Sequence, residues 1–134
     1  RHTVSPKLTL HINSFSYKRG IPVDLSENGG GFVFDCRALP NPGRSAGYLH
    51  LTGCDAEVIE FLERYGEVET FGEHALALVK QSVDVYTARR FTNLMVSFGC
   101  TGGRHRSVYC AEKLAQKISD HPNIKIILRH REQE

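Results

Sequence analysis

The chain has 134 residues, 40% hydrophobic and 24% charged, which suits one globular domain large enough to bury a core. No apolar run reaches the ~18 residues of a membrane span, and no signal peptide opens the chain. Four cysteines without a C-x-x-C pair, and seven histidines without an H-x-x-x-H pair, exclude a disulfide scaffold and any spaced metal motif, so reduced thiols, no metal and a cytoplasmic location are expected. The net charge of +2 is segregated. Residues 1–20 hold Arg1, Lys7, Lys18 and Arg19 and no acid, residues 55–84 hold eight acids against Arg64 and Lys80, and residues 101–134 hold seven bases against four acids. That asymmetry suits a basic face with an acidic back. The first residue is Arg1, so the sequence reads as part of a longer chain.

Residues 8–14 alternate apolar and polar, the period of a strand with one buried face. Residues 15–22 read as a turn-rich loop in which Lys18 and Arg19, beside Gly20, can reach an anion. The cluster Asn28-Gly29-Gly30-Gly31 precedes a buried strand over residues 32–37, whose carboxyl end carries Asp35 and Arg37. Ligand sites in open α/β sheets lie beyond such ends. Two prolines and a glycine make residues 39–43, with Asn41, irregular, and residues 44–50 continue as loop. A helix is expected from Asp55 as N-cap, with Val58, Ile59, Leu62 and Tyr65 inward and Gly66 as its stop. A second helix, residues 70–87, turns Ala75, Leu78, Val79 and Val85 inward. A third strand over residues 91–98 leads to a helix over residues 106–119, with Val108, Ala111, Leu114, Ala115 and Ile118 inward. Residues 124–128 form the last strand, with Arg129-His130-Arg131 at its end. Strand–helix–strand with short links implies a parallel, right-handed crossover. The fold expected is α/β: one small domain over residues 1–134, with a parallel or mixed sheet of about four strands and about three helices.

The third strand runs into Cys100-Thr101-Gly102-Gly103-Arg104-His105-Arg106-Ser107. The paired glycines let backbone N–H groups close around a ligand and permit φ > 0. The helix start adds free N–H groups and a dipole that favours an anion, and Arg104 and Arg106 add guanidinium forks. This is an anion cradle suited to phosphate, with two uses open to it. The spacing C-x-x-G-x-x-R-[ST] is that of cysteine-dependent phosphatases, in which Cys100 attacks phosphorus, Arg106 holds equatorial oxygens and Asp35 is the acid to test. Gly99, however, stands where those enzymes usually keep a histidine. As a binding site without turnover, His105 and the arginines neutralise a phosphate while Asp35, Asn41 and the hydroxyls of Thr101 and Ser107 orient the rest of a polar metabolite. A separate RNA-binding surface would use Lys18, Arg19, Lys125, Arg129 and Arg131, with Phe15, Tyr17 and Tyr48 as stacking rings.

The segment from Gly99 to Tyr109 resembles the G-C-T-G-G-x-H-R-S-V-Y signature of the C-terminal domain of the RapZ (YvcJ) family. Ser14-Phe15 with Lys18-x-Gly20-Ile21-Pro22, then Phe34-Asp35-x-Arg37-x-Leu39-Pro40-Asn41-Pro42, resemble two further motifs of that domain in the same order. Leu51-Thr52-Gly53 and the closing Arg129-His130-Arg131 agree as well. The resemblance implies a regulatory, non-enzymatic bacterial domain with a fold similar to a phosphofructokinase subdomain. It implies binding of glucosamine-6-phosphate and of small regulatory RNA, in control of amino-sugar metabolism. The implied anion pocket falls on Cys100, Thr101, Gly102, Gly103, Arg104, His105, Arg106 and Ser107, with Asp35, Arg37, Asn41 and Lys18 alongside. No cofactor is implied for this domain, and a second copy of the chain is a further partner expected. Family members usually carry an ATP-binding P-loop domain in front, and no G-x-x-x-x-G-K-[ST] occurs here. The chain finishes Arg131-Glu132-Gln133-Glu134, which departs from the strongly basic tail of the enterobacterial member.

Overall fold

Four strands and three α-helices build one fully parallel sheet with its helices on one face. A computed structural model describes residues 7–134, so Arg1 of the basic N-terminal stretch lies outside the described residues. The strands are β1 (Leu8–Ser16), β2 (Phe32–Asp35), β3 (Asn93–Cys100) and β4 (Ile124–His130), in the spatial order β2-β3-β1-β4. The helices are α1 (Ala56–Glu63), α2 (Gly66–Ala88) and α3 (Arg106–Ile118), with short 3-10 turns at Pro42–Arg44, Ala46–Tyr48 and Arg131–Gln133.

The topology explains the one-sided layer. The crossovers β2→β3 and β3→β4 both step in the same direction across the sheet, and right-handed connections then place their helices on the same face. Leu8, Leu10 and Ile12 of β1 and Leu94, Val96 and Phe98 of β3 share one core with Val79 and Val83 of α2 and Ala111, Leu114 and Ile118 of α3. The connection from β1 to β2 contains no helix, so the opposite face has only that loop beside it. Among the described residues no helix is long and apolar enough to cross a membrane.

Several element boundaries differ from expectation. Phe15 and Ser16 continue β1 instead of turning, because both are buried against β3 through the Phe15–Gly99 and Ser16–Cys100 pairs. The second strand stops at Asp35, two residues early. β3 begins at Asn93 and runs through Cys100, leaving Phe91 outside at 45% exposure. β4 extends to His130, so Arg129 and His130 lie within the strand rather than beyond it. Asp55 precedes α1, but its carboxylate accepts the Thr52 amide at 2.7 Å instead of capping the helix. Gly66 opens α2 rather than ending a helix. On α2 the buried positions are Val68, Ala75, Val79 and Val83, whereas Leu78 and Val85 are 49% and 41% exposed. Ala75, Val79 and Val83 recur every four residues on one face, and Val85 lies off that face.

Val83→Ala is therefore expected to cost about 2 kcal/mol in urea denaturation, while Val85→Ala shifts stability by no more than about 0.5 kcal/mol. Equal losses would disprove this assignment of the inward face.

Candidate functional site

The carboxyl ends of all four strands share one edge of the sheet, and residues 100–107 lie across it between β3 and α3. Ser16 Oγ donates to the Thr101 carbonyl at 2.6 Å, and the Tyr17 amide donates to the Cys100 carbonyl at 3.0 Å. The chain turns at Gly103 with φ +67°, where a Cβ would stand 2.7 Å from the Ser16 nitrogen. Only glycine fits there. At Gly102 the backbone is not left-handed and a Cβ would meet nothing within 4 Å. One glycine serves the fold, and the other keeps the loop surface open.

The two arginines and the histidine of the loop are engaged with backbone. Arg104 Nε and Nη2 donate to the Leu51 and His50 carbonyls, each at 2.9 Å. His105 Nε2 lies 2.9 Å from the Tyr48 carbonyl, which can only accept, so Nε2 carries the proton. Arg106 Nη1 donates to the Arg37 and Leu39 carbonyls at 2.8 and 3.0 Å. Arg104, His105 and Arg106 thus pin the segment from Arg37 to Leu51 against the loop. Burial holds His105 below the ordinary histidine range, which keeps the ring neutral, and Arg104 and Arg106 push in the same direction. Nε and Nη2 of Arg106 bond no protein acceptor among the described residues.

Backbone supplies what the side chains do not. Among the described residues, the amides of residues 101–108 donate to no protein acceptor, and the last of them form the first turn of α3. Unpartnered N–H groups and the dipole at a helix N-terminus favour an anion over a cation.

The trio Cys100, Arg106 and Asp35 does not assemble. Asp35 pairs in register with Gly99, so the two-residue pleat sets it on the helix-free face, while Cys100 faces the helices. Arg37 Nε and Nη2 donate to the two Asp35 carboxylate oxygens at 2.9 and 2.8 Å, and that guanidinium lies 3.8 Å from the Tyr17 ring centroid. The bond from Arg37 holds Asp35 below the usual carboxylate range, the wrong direction for a general acid. Cys100 is 2% exposed and its thiol donates to Ser107 Oγ at 3.1 Å. A Cβ at Gly99 would strike the Phe15 and Tyr17 rings, so a histidine has no room there. Asn41 Oδ1 accepts the Gly43 amide at 2.9 Å and caps the Pro42–Arg44 turn.

The cations expected to meet RNA divide. Lys18 and Arg19 follow β1, and Arg129 and Arg131 close β4 and its extension, so these four share the loop's edge. Arg19 lies 3.6 Å from Glu132, and Arg129 binds Glu134 through two 2.8 Å contacts. Lys125 pairs with Thr9 near the other end of the sheet, about 13 Å along the strand from Arg129. Of the expected stacking rings, Phe15 is buried, Tyr17 is covered by Arg37, and Tyr48 packs on Phe61. Ser16, Glu132 and the Tyr48 carbonyl shape the site without any signal in sequence spacing, because register and loop closure bring them there.

Two outcomes follow from this geometry. Gly103→Ala is expected to destabilise the protein by about 2 kcal/mol or more, with Gly102→Ala unchanged in the same denaturation series. For His105, whose folded value lies below the unfolded value of about 6.5, the folded state binds fewer protons across that range. Its contribution is complete above that range and is lost as pH falls toward the folded value. His105→Gln should therefore lose less thermal stability than the parent between about pH 7 and about pH 5; identical slopes would assign the loss to another group.

Comparison with known proteins adds an independent line. The family model described as RapZ C-terminal domain matches residues 8–134. A nucleotide-binding protein of Azoarcus sp. (strain BH72) is 42% identical over 127 residues, covering 95% of this chain and 41% of that protein. A nucleotide-binding protein of Cupriavidus pinatubonensis is 41% identical over 128 residues, 96% of this chain and 41% of that protein. One from Methylococcus capsulatus is 40% identical over 126 residues, 93% and 40% respectively. The chain spans about two-fifths of the length of the curated relatives it matches.

Proposed function

The chain belongs to the RapZ C-terminal domain family, and from that premise we propose that it is a regulatory binding domain for a phosphorylated amino sugar of the glucosamine-6-phosphate kind. The observation that carries the reading is the row of unpartnered amides over residues 101–108, at the N-terminus of α3 and beyond the carboxyl ends of parallel strands. The phosphate sits on those amides, with the open surface at Gly102 admitting it and the spare nitrogens of Arg106 adding charge. The domain binds without turnover: its buried thiol is bonded to Ser107, and Asp35, the carboxylate expected as acid, is held ionised by Arg37 on the other face. The nucleotide-binding name of the relatives belongs, in this reading, to the part of their length that this chain does not cover, since no G-x-x-x-x-G-K-[ST] occurs in it.

Glucosamine-6-phosphate at a hundred times its dissociation constant is expected to add about 2.7 kcal/mol of stability. Gly102→Asp places a carboxylate at the open surface and should abolish that gain while leaving the ligand-free melting temperature unchanged. No gain at millimolar ligand, or a full gain in Gly102→Asp, would refute the reading. Hydrolysis of an aryl phosphate that disappears in Cys100→Ser would replace it with the phosphatase.

A second reading, contact with small regulatory RNA, is favoured by the gathering of Lys18, Arg19, Arg129 and Arg131 at the same edge. Affinity that falls as salt rises, with a shallower slope in Lys18→Ala, is the expected result. A salt-independent affinity would reject phosphate-driven binding.

A further inference from the structure

A second cluster of reactive side chains lies on the helix side of the sheet, outside the 100–107 loop. Cys54 Sγ, a Glu112 carboxylate oxygen and a His130 ring nitrogen lie within 4.8 Å of one another. Cys54 comes from the loop ahead of α1, Glu112 from α3 and His130 from the end of β4. His130 Nε2 is 2.6 Å from Glu112 Oε2, and its Nδ1 is 2.7 Å from Ser14 Oγ on β1.

We propose that Cys54, Glu112 and His130 form a binding site for a borderline-soft divalent cation of the zinc class, with Ser14 positioning the histidine. Thiolate, imidazole and carboxylate are the donors zinc takes, and three protein ligands leave its fourth position for water. Ser14 is fully buried and fixed in β1, so an Nδ1–H bond to its hydroxyl orients the ring and leaves Nε2 as the coordinating atom. That is the outer-shell partner a ligating histidine normally keeps. A tetrahedral site with bonds of about 2.0–2.3 Å needs donors roughly 3.5 Å apart. Small rotations of the exposed Cys54 and the half-buried Glu112 supply that spacing. A pocket of about 160 Å³, with Gly53 and Gln116 in its wall, opens onto Cys54 and Glu112 and gives a cation its way in. Lys113, also in that wall, is turned to Glu63 at 3.2 Å. A simple His130–Glu112 ion pair would use two of the three groups and would not require Cys54. Sequence spacing led to the expectation of no metal site because the three donors come from three separate segments.

Titration of the protein with Co²⁺ in chelator-free buffer is expected to give a one-to-one complex with thiolate-to-cobalt charge-transfer absorption in the near ultraviolet. Zn²⁺ should abolish that absorption by displacement and raise the melting temperature. Cys54→Ser removes the absorption, and Glu112→Gln weakens binding about tenfold or more. Both side chains reach solvent, so both variants should fold. Ser14→Ala should weaken binding about ten- to a hundredfold while retaining the absorption, which separates positioning from ligation. Absorption that survives in Cys54→Ser, an affinity unchanged in Glu112→Gln, or no stoichiometric complex in the parent protein overturns the site.

Discussion

The arrangement at the strand ends depends on one buried cation, Arg106, whose Nη1 donates to the carbonyls of Arg37 and Leu39. A guanidinium taken out of water and left unpaired would cost several kcal/mol, while hydrogen bonds to a charged group return about 1.5–3 kcal/mol each. The net contribution to stability is therefore modest, and the larger consequence is positional. Arg106 cannot leave those carbonyls without being stranded, so the first residue of α3 and the segment after β2 are held together. His105 and Arg104 extend the same device to Tyr48, His50 and Leu51. A stretch with two prolines and two 3-10 turns, which has no sheet ladder to hold it, is ordered by three side chains of the neighbouring loop.

Those attachments also decide which groups remain for a ligand. Because Arg104 and His105 are engaged and Arg106 keeps only Nε and Nη2 without a protein acceptor among the described residues, most of the loop's unpartnered donors are main-chain amides, whose directions are set by Gly103 and the start of α3. Amides held in this way need little reorganisation on binding, which favours holding an anion. The same geometry separates Cys100 from Asp35: the pleat puts neighbouring positions on opposite faces, so a thiol at Cys100 and a carboxylate opposite Gly99 cannot act on one atom. The chemistry that the C-x-x-G-x-x-R-[ST] spacing suggests needs an accessible thiolate in line with a protonated acid at the leaving oxygen, whereas Cys100 is buried on Ser107 and Asp35 is held by Arg37.

The helix-side face carries a second polar focus below α3. Ser14, buried at the last pair of the β1–β4 ladder, bonds His130, which in turn meets Glu112. A buried hydroxyl and an imidazole amid apolar packing need partners for their polar atoms, and the chain from Ser14 to Glu112 carries that need out to the surface where Cys54 stands. Structural necessity thus delivers an oriented ring nitrogen to Glu112, which lines a small pocket.

By itself the sequence determined the class of fold, because β-branched and leucine-rich runs of period two, alternating with runs of period 3.6, admit little besides an α/β sheet with parallel crossovers. It also marked the strand-to-helix turn at residues 100–107, where Gly103 meets a left-handed backbone demand, and it pointed to one face of α3 correctly. Tertiary structure decided the rest. Whether Val83 or Val85 faces inward depends on how α2 meets the sheet, because both fit an amphipathic pattern. Whether Arg104, His105 and Arg106 face a ligand or the backbone depends on a segment more than fifty residues earlier in the chain. Strand register, which moves every side chain to the other face with a slip of one residue, separated Asp35 from Cys100 and joined Ser14 to His130. No local spacing encodes such pairings; they exist only once the strands are side by side.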